Sequence, residues 1–158
     1  MPDPVVRPRN ISGTNIHGTA ILIGELGLLI IGPSGSGKTT LALALIDHCC
    51  SRALFSRLIG DDQLLAAGYG GRLVCRAPAA IAGLAEVPGI GPRPLPFEPA
   101  GVIGLVVRLV PGREMARFQD EAGETIAGCA VPRIDVAERN AAAALPAIMA
   151  RLSIAPFL

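Results

Sequence analysis

Residues 32–39 read Gly-Pro-Ser-Gly-Ser-Gly-Lys-Thr, which fits the pattern of two glycines separated by four residues and followed directly by Lys and Ser or Thr. The apolar run 28–31 leads into this stretch, and the apolar run 41–46 follows it. Strand, loop and helix in this order form the context in which the pattern binds phosphate. The glycines let backbone N–H groups approach phosphate oxygens at the positive end of the helix. The sequence therefore predicts a phosphate-binding loop, or P-loop.

Side chains of the predicted loop have defined tasks in such sites. Lys38 is expected to contact the β- and γ-phosphates of a nucleotide, and the hydroxyl of Thr39 is expected to ligate Mg²⁺. A nucleotide and Mg²⁺ are therefore expected at the loop. The predicted nucleotide-binding residues run continuously into the helix: Gly32, Pro33, Ser34, Gly35, Ser36, Gly37, Lys38, Thr39 and Thr40.

Length and composition restrict the class of protein. The chain has 158 residues, enough for one domain with a hydrophobic core, and 51% hydrophobic with 17% charged residues argues against disorder. A formal net charge of +1 gives no electrostatic reason to expect nucleic acid or an anionic membrane as a partner. The four cysteines have neither metal-finger spacing nor an extracellular framework around them. With no apolar core of a signal peptide and no apolar run long enough for a bilayer, we expect a cytoplasmic protein.

The chain around the loop predicts a strand over 15–23, a tight turn over 24–27 and a returning strand over 28–31. The predicted loop is thus entered from a hairpin, which is unusual for folds whose parallel strands are joined by helices. A helix is expected from residue 39 to about 50. Residues 58–59 are expected to form a short buried strand that ends in two carboxylates.

The second half of the chain predicts a strand over 73–77 and, because Pro and Gly are frequent there, a mostly irregular stretch over 78–100. Such a long irregular stretch in a compact domain is typical of a lid or substrate loop. A central strand over 101–110 and a final strand over 131–136 flank a polar, turn-rich segment. The Ala-rich segment 137–152 is expected to be helical, and Pro146 is expected to kink or divide it.

Four residues outside the loop are candidates for chemistry. Asp61 and Asp62 are adjacent at a predicted strand end, so their side chains are expected to face opposite ways. One carboxylate suits the metal-nucleotide site, and the other suits the acceptance of a proton from an attacking hydroxyl. The alternative is that the pair only caps a turn. Glu86 is the lone acid of a glycine-bearing apolar loop, and is either a second metal ligand or a solvated carboxylate. His17 is either structural or a proton shuttle.

Together, these features resemble the C-terminal catalytic domain of the bacterial HPr kinase/phosphorylase family. In that family a His-Gly strand precedes a hairpin into the phosphate loop, an Asp-Asp pair follows the loop helix, and a segment of the form Glu-Ile-Arg-Gly-Leu-Gly comes after a further strand. This chain has the same order, with His17-Gly18, residues 32–39, Asp61-Asp62 and the segment 86–91. The resemblance covers about residues 10–118. It implies a single α/β domain of the HPr kinase and phosphoenolpyruvate carboxykinase type, with a mixed β-sheet.

The resemblance also implies an activity: transfer of phosphate from ATP, with Mg²⁺, to a serine of HPr, the phosphocarrier of the sugar phosphotransferase system. It implies that Asp62 is the general base, that His17 assists Asp61 and Asp62, and that Lys38 contacts the phosphates. Thr39 and Glu86 would hold Mg²⁺. Arg117 is the nearest match to a catalytic arginine that the family has beyond the long strand. A homo-oligomer, a hexamer by likeness, is expected.

Several departures from the family pattern narrow these expectations. Pro88 stands where the family usually has Arg, and residues 136–140 share only Arg-Asn with a later loop tied to removal of phosphate from HPr. Kinase activity is therefore expected more than phosphorylase activity. We expect a lead-in over 1–10, a catalytic domain over 11–152 and a tail over 153–158. This arrangement would be a short form without the amino-terminal domain that many relatives have, and it is similar to the forms in some proteobacteria. A small-molecule kinase and a non-catalytic nucleotide sensor remain alternatives.

Overall fold

The computed structural model describes residues 13–157, and the predicted lead-in over 1–10 lies outside this range. The described part of the chain holds eleven strands and two α-helices. In chain order they are β1 (Thr14–His17), β2 (Thr19–Ile23), β3 (Leu26–Ile31), α1 (Lys38–Cys50), β4 (Ser56–Gly60), β5 (Gln63–Tyr69), β6 (Arg72–Arg76), β7 (Leu84–Val87), β8 (Gly91–Pro94), β9 (Ala100–Val110), β10 (Ala122–Ile126), β11 (Cys129–Ala137) and α2 (Ala141–Arg151).

Nine of the strands form one mixed sheet, as expected. Its main order is β1-β5-β6-β9-β3-β2-β4, and β11 joins the second half of β9, with β10 beyond it. The strand β9 pairs in parallel with β3 and β11, whereas all other pairs in this sheet are antiparallel. Only Gly18 separates β1 from β2, although the two strands lie five places apart in this order. The sheet therefore curls back on itself. Strands β7 and β8 form a separate hairpin.

Side chains at alternating positions of the central strands belong to two hydrophobic clusters. In β3, Leu28 and Ile30 pack with the helices, while Leu29 packs into a second cluster on the other face with Leu64 and Leu73. This follows from the alternation of side chains along a strand. Each such Leu or Ile stabilises the fold by about 1.5–3 kcal/mol when it is fully buried. The rigid double-sided sheet fixes the strand ends from which the loops of the site project.

The loop region follows the sequence expectation closely. Strands β2 and β3 form an antiparallel hairpin around Gly24 and Glu25, and β3 ends at Ile31, directly before residues 32–39. Helix α1 begins at Lys38. Residues 32–39 are called the glycine-rich loop below.

Four details differ from the sequence expectation. The irregular stretch contains the hairpin of β7 and β8, and the turn-rich segment before β11 contains β10, which pairs with it over five residues. Helix α2 begins only at Ala141, because β11 extends to Ala137 and Asn140 caps the helix through its side chain. Pro146 lies within α2 without dividing it, since the carbonyl it leaves unpaired belongs to exposed Ala142. Neither helix in this part of the chain is long and apolar enough to cross a bilayer.

Candidate functional site

A cleft of about 530 Å³ lies beside the glycine-rich loop. The loop and the first turn of α1 form one side of it; the turn after β4, the tip of the β7–β8 hairpin and the start of α2 also contribute. Its lining residues come from the whole length of the chain: His17, Ser34, Gly35, Gly37, Lys38, Thr39, Thr40, Leu41, Asp61, Asp62, Glu86, Pro88, Leu109, Ala137, Arg139, Asn140, Ala141 and Ala144. The fold therefore brings His17, both aspartates, Glu86 and the loop together around one cleft.

Lys38 is the only lysine in the sequence, and it is 7% exposed. Its Nζ donates to the carbonyl oxygens of Gly32 and Pro33, both at 3.0 Å. Burial lowers the pKa of Lys38 below its usual value, and the negative charges of Asp61 and Asp62 oppose that effect. The ammonium group of Lys38 thus lies against its own loop, beside the cleft. It is close enough to both carboxylates for their charge to affect its pKa.

Asp61 is the most connected side chain of the site, and it is only 4% exposed. Its Oδ1 accepts from the hydroxyls of Thr19 at 2.7 Å and Thr39 at 2.9 Å. Its Oδ2 accepts from Thr39 at 3.0 Å and from the backbone N–H of Glu86 at 2.7 Å. A buried carboxylate needs such donors to remain charged. Asp61 is therefore committed to holding Thr39 and the β7–β8 hairpin.

Asp62 faces a different neighbour, as expected for adjacent side chains. Its Oδ1 lies 3.0 Å from the Nε2 of His17, and the two side chains are 60% and 49% exposed, respectively. The backbone of Asp62 has φ +70°, a left-handed conformation that Asp tolerates better than most residues. The backbone N–H of Gly18 also donates to the carbonyl of Asp62 at 3.2 Å. Asp62 is the accessible carboxylate of the pair, and His17 is its side-chain partner.

The β7–β8 hairpin brings Glu86 and Pro88 to the cleft. Glu86 is exposed in β7, and the buried neighbour Ala85 anchors that strand against the core around α1. The turn after β7 passes through Gly89 with φ +76°, a conformation that favours glycine. Pro88 lines the cleft at the place where the family resemblance led us to expect arginine. The hairpin therefore supplies one carboxylate and one apolar ring to the site.

Arg139 is a site residue that the sequence reasoning set aside. Its backbone N–H donates to the carbonyl of Ser36 at 3.0 Å, and its Nε donates to the carbonyl of Gly35 at 3.1 Å. Its backbone has φ +54°, which is uncommon for a residue with a large side chain. The sequence signal was the Arg-Asn pair directly after the last strand. That pair could be recognised as part of the site only with the parallel pairing of β11 with β9, which brings the end of β11 to the glycine-rich loop.

Thr19 was also missed, although it is a buried polar residue at the head of an apolar strand. Arg117, by contrast, does not line the cleft. It is exposed, with its guanidinium carbon 5.5 Å from the ring centroid of Phe118. The catalytic role expected for Arg117 stays a prediction, as do the roles expected for the other site residues.

The residues present fit a nucleotide with Mg²⁺. Gly35 and Gly37 have φ +78° and +93°, and a side chain at Gly35 would meet nothing within 4 Å, so the loop leaves open space for phosphate. No side chain caps the start of α1. In the described range no three His, Cys, Asp or Glu residues cluster into a metal site. Mg²⁺ commonly takes one or two protein ligands and completes its shell with phosphate and water, and Thr39 with Glu86 would suit that.

Comparison with known proteins assigns the chain to a family. Residues 10–92 match the family model described as the HPr Serine kinase C-terminal domain, which is just over half of the chain. The chain belongs to this family. The matched range contains the glycine-rich loop, the aspartate pair, His17 and the β7–β8 turn.

Individual relatives agree with that assignment. The HPr kinase/phosphorylase of Mycoplasmopsis pulmonis is 37% identical over 78 residues, which are 48% of this chain and 23% of the relative. That of Clostridium beijerinckii is 36% identical over 78 residues, 49% of this chain and 24% of the relative. The chain thus spans about a quarter of the length of these curated relatives. The solved Hpr(Ser) kinase/phosphatase from Coxiella burnetii matches with a TM-score of 0.69 and 25% identity, over 88% of this chain and 93% of that chain.

Proposed function

We propose that this HPr kinase family member transfers the γ-phosphoryl group of ATP to a serine hydroxyl of HPr. The observation that carries the proposal is the accessible Asp62, hydrogen-bonded to His17 at 3.0 Å, on the same cleft as the glycine-rich loop. A carboxylate that can reach an incoming hydroxyl and a loop that can bind a triphosphate are the two parts that phosphoryl transfer needs.

The two aspartates divide the work in this proposal. Asp62 accepts the proton of the seryl hydroxyl, and His17 keeps the carboxylate turned towards the cleft. Asp61 accepts from three donors, one of them the Thr39 hydroxyl shared between its two oxygens, and has no free role as a base; it positions Thr39 and the backbone at Glu86. Because Thr39 and Glu86 are held by the same carboxylate, they are suited to share one Mg²⁺.

Lys38 contributes charge to the transferred group. Its ammonium group donates to the carbonyls of Gly32 and Pro33, and it would turn from them to the β- and γ-phosphates of a bound nucleotide. Mg²⁺, when bound, neutralises charge on the phosphate oxygens. The reverse reaction is not part of the proposal, because Pro88 lies on the cleft where an arginine was expected. Cytoplasmic action and assembly into hexamers are retained as parts of the proposal.

Incubation of the protein with γ-labelled ATP, Mg²⁺ and purified HPr tests the proposal. We expect label on one serine of HPr, located by peptide mapping, and no turnover when HPr is omitted. Matched reactions with HPr carrying alanine at the mapped serine should remain unlabelled. Turnover with sugars or metabolites in place of HPr would favour the small-molecule kinase, and ATP binding without any transfer would favour the nucleotide sensor.

A further inference from the structure

The cleft has an aliphatic wall that is distinct from its charged residues. The wall consists of Leu41, Leu109, Ala137, Ala141 and Ala144. Leu41, Leu109 and Ala144 are nearly fully buried members of the core between the sheet and the helices, so this wall is part of the fold's rigid interior. Ala137 and Ala141 are the partly exposed members of the wall, and they give it a surface for the nucleoside of a nucleotide whose phosphates occupy the loop.

The wall offers little to distinguish one base from another. Among the described residues, Asn140 is the only one with a side-chain amide that lines the cleft, and its Oδ1 accepts from the backbone N–H of Ala143 at 3.2 Å as the cap of α2. The Nδ2 group that remains is a donor only, and each of the four common bases carries acceptors. An amide with both functions free, as in adenine recognition by Asn or Gln, is absent from the lining in the described range.

Aromatic stacking is also absent. The sequence has five aromatic residues, and none of them lines the cleft: Phe55, Tyr69, Phe97, Phe118 and Phe157. Stacking on an aromatic ring contributes about 1–3 kcal/mol per base to nucleic-acid binding and suits purines, with their larger rings. Without it, a purine has only contact with small aliphatic groups.

We propose that the cleft selects its phosphoryl donor by the triphosphate and accepts adenine, guanine, cytosine and uracil nucleotides alike. This rests on the proposed function, in which a nucleoside triphosphate occupies the cleft. Sites that hydrogen-bond a particular group reject analogues lacking it by about 10⁴-fold or more, whereas apolar walls discriminate far less. The binding energy therefore resides with Lys38, Thr39, Arg139 and the loop amides.

The test is a set of dissociation constants for ATP, GTP, CTP and UTP, measured with Mg²⁺ by calorimetry on the full chain. We expect the four constants to agree within about tenfold, because the aliphatic wall carries no side chain that can hydrogen-bond to a base edge. Adenosine, which lacks phosphate, should not compete with ATP.

A matched pair of variants locates the nucleoside. Ala141→Leu projects a larger side chain from the wall, and Ala142→Leu places the same side chain on the exposed face of the same helical turn. Ala141→Leu should weaken binding of all four nucleotides by a similar factor and leave inorganic tripolyphosphate unchanged. Ala142→Leu should change neither.

The outcomes separate this inference from the proposed function. A preference for one base of more than about tenfold, with ATP bound and transferred, overturns base indifference and leaves the kinase standing. Failure of ATP and of all other triphosphates to bind overturns the proposed function and this inference together. Equal effects of Ala141→Leu and Ala142→Leu on the nucleotides would contradict the placement of the nucleoside.

Discussion

The hydroxyl of Thr39 donates to both carboxylate oxygens of Asp61, at 2.9 Å to Oδ1 and 3.0 Å to Oδ2. The same carboxylate accepts from Thr19 in β2 and from the backbone of Glu86 in β7. One buried charge thus joins the first turn of α1, the hairpin that enters the glycine-rich loop and the hairpin that carries Glu86. Asp61 is the structural centre of the cleft, and the accessible Asp62 is the residue to which the proposed function assigns the chemistry.

This division predicts that two similar substitutions affect stability to very different extents. Asp61→Asn removes a charge that accepts from three hydrogen-bond donors and should lower the free energy of unfolding by about 2 kcal/mol or more. Asp62→Asn changes an exposed side chain in a left-handed conformation that Asn also tolerates, so stability should change by no more than about 0.5 kcal/mol. Urea unfolding of both variants measures the difference. Equal losses of stability would show that Asp61 does not carry the structural role.

Arg139 should act through both its backbone and its side chain. Arg139→Gly suits the left-handed backbone and should be more stable than Arg139→Ala by about 1 kcal/mol. Both variants lose the hydrogen bond to the carbonyl of Gly35 and should bind nucleotide more weakly than the parent chain. Thermal unfolding and nucleotide titration check the two parts. Unchanged affinity in both variants would rule out a role of the side chain in positioning the loop.

The lowered pKa of Lys38 predicts a pH dependence of stability. Burial in the folded state disfavours the charged ammonium group, and this destabilises the fold. The destabilisation is fully present below the folded-state pKa of Lys38, and it is relieved as pH rises from that pKa towards 10.5, the pKa in the unfolded state. The parent chain should therefore gain stability relative to Lys38→Met over that interval. Unfolding free energies at a series of pH values measure this. A difference between the two proteins that is independent of pH would contradict it. Lys38→Met should also abolish nucleotide binding.

Cys75 predicts a loss of stability in alkali. Burial raises the pKa of its thiol from 9.0 to about 12, which favours the neutral thiol in the folded state. The stabilisation that comes from this pKa shift is fully present below pH 9.0 and is lost as pH rises from there towards about 12. Unfolding should release at most one proton from this thiol, so its effect on the free energy of unfolding is limited to about 1.4 kcal/mol per pH unit. Cys75→Ala should show a shallower decline between those pH values; an equal slope would exclude Cys75 as the cause.

Local sequence patterns predicted the centre of this fold well. The hairpin into residues 32–39 and the following helix were evident because apolar runs, glycines and a single Lys-Thr pair lie within one short stretch. Asp61 and Asp62 were expected to face opposite ways as neighbours on a strand, and they do have different partners, but both lie in the turn between β4 and β5. These features depend on neighbours in sequence, and such neighbours determine turns and strand alternation.

Contacts between distant segments were harder to predict. Arg139 lies 104 positions from Gly35, and only the parallel pairing of β11 with β9 brings the two together. The hydrogen bonds of Thr19 and of the Glu86 backbone to Asp61 likewise depend on how the sheet curls. Pro146 was expected to disturb its helix, but its effect depends on whether the unpaired carbonyl can reach water. None of these facts is carried by local composition.

The rate of a single turnover with Asp62→Asn tests the central claim most directly. Enzyme in excess over γ-labelled ATP, with Mg²⁺ and HPr, should transfer label to HPr at a rate about 10²–10⁴-fold slower in the variant than in the parent chain, with nucleotide affinity unchanged. Asp62→Asn leaves the loop, Lys38 and the hydrogen bonds of Asp61 in place, so such a loss would belong to the proton-accepting step. Transfer by Asp62→Asn at the parental rate would contradict the account.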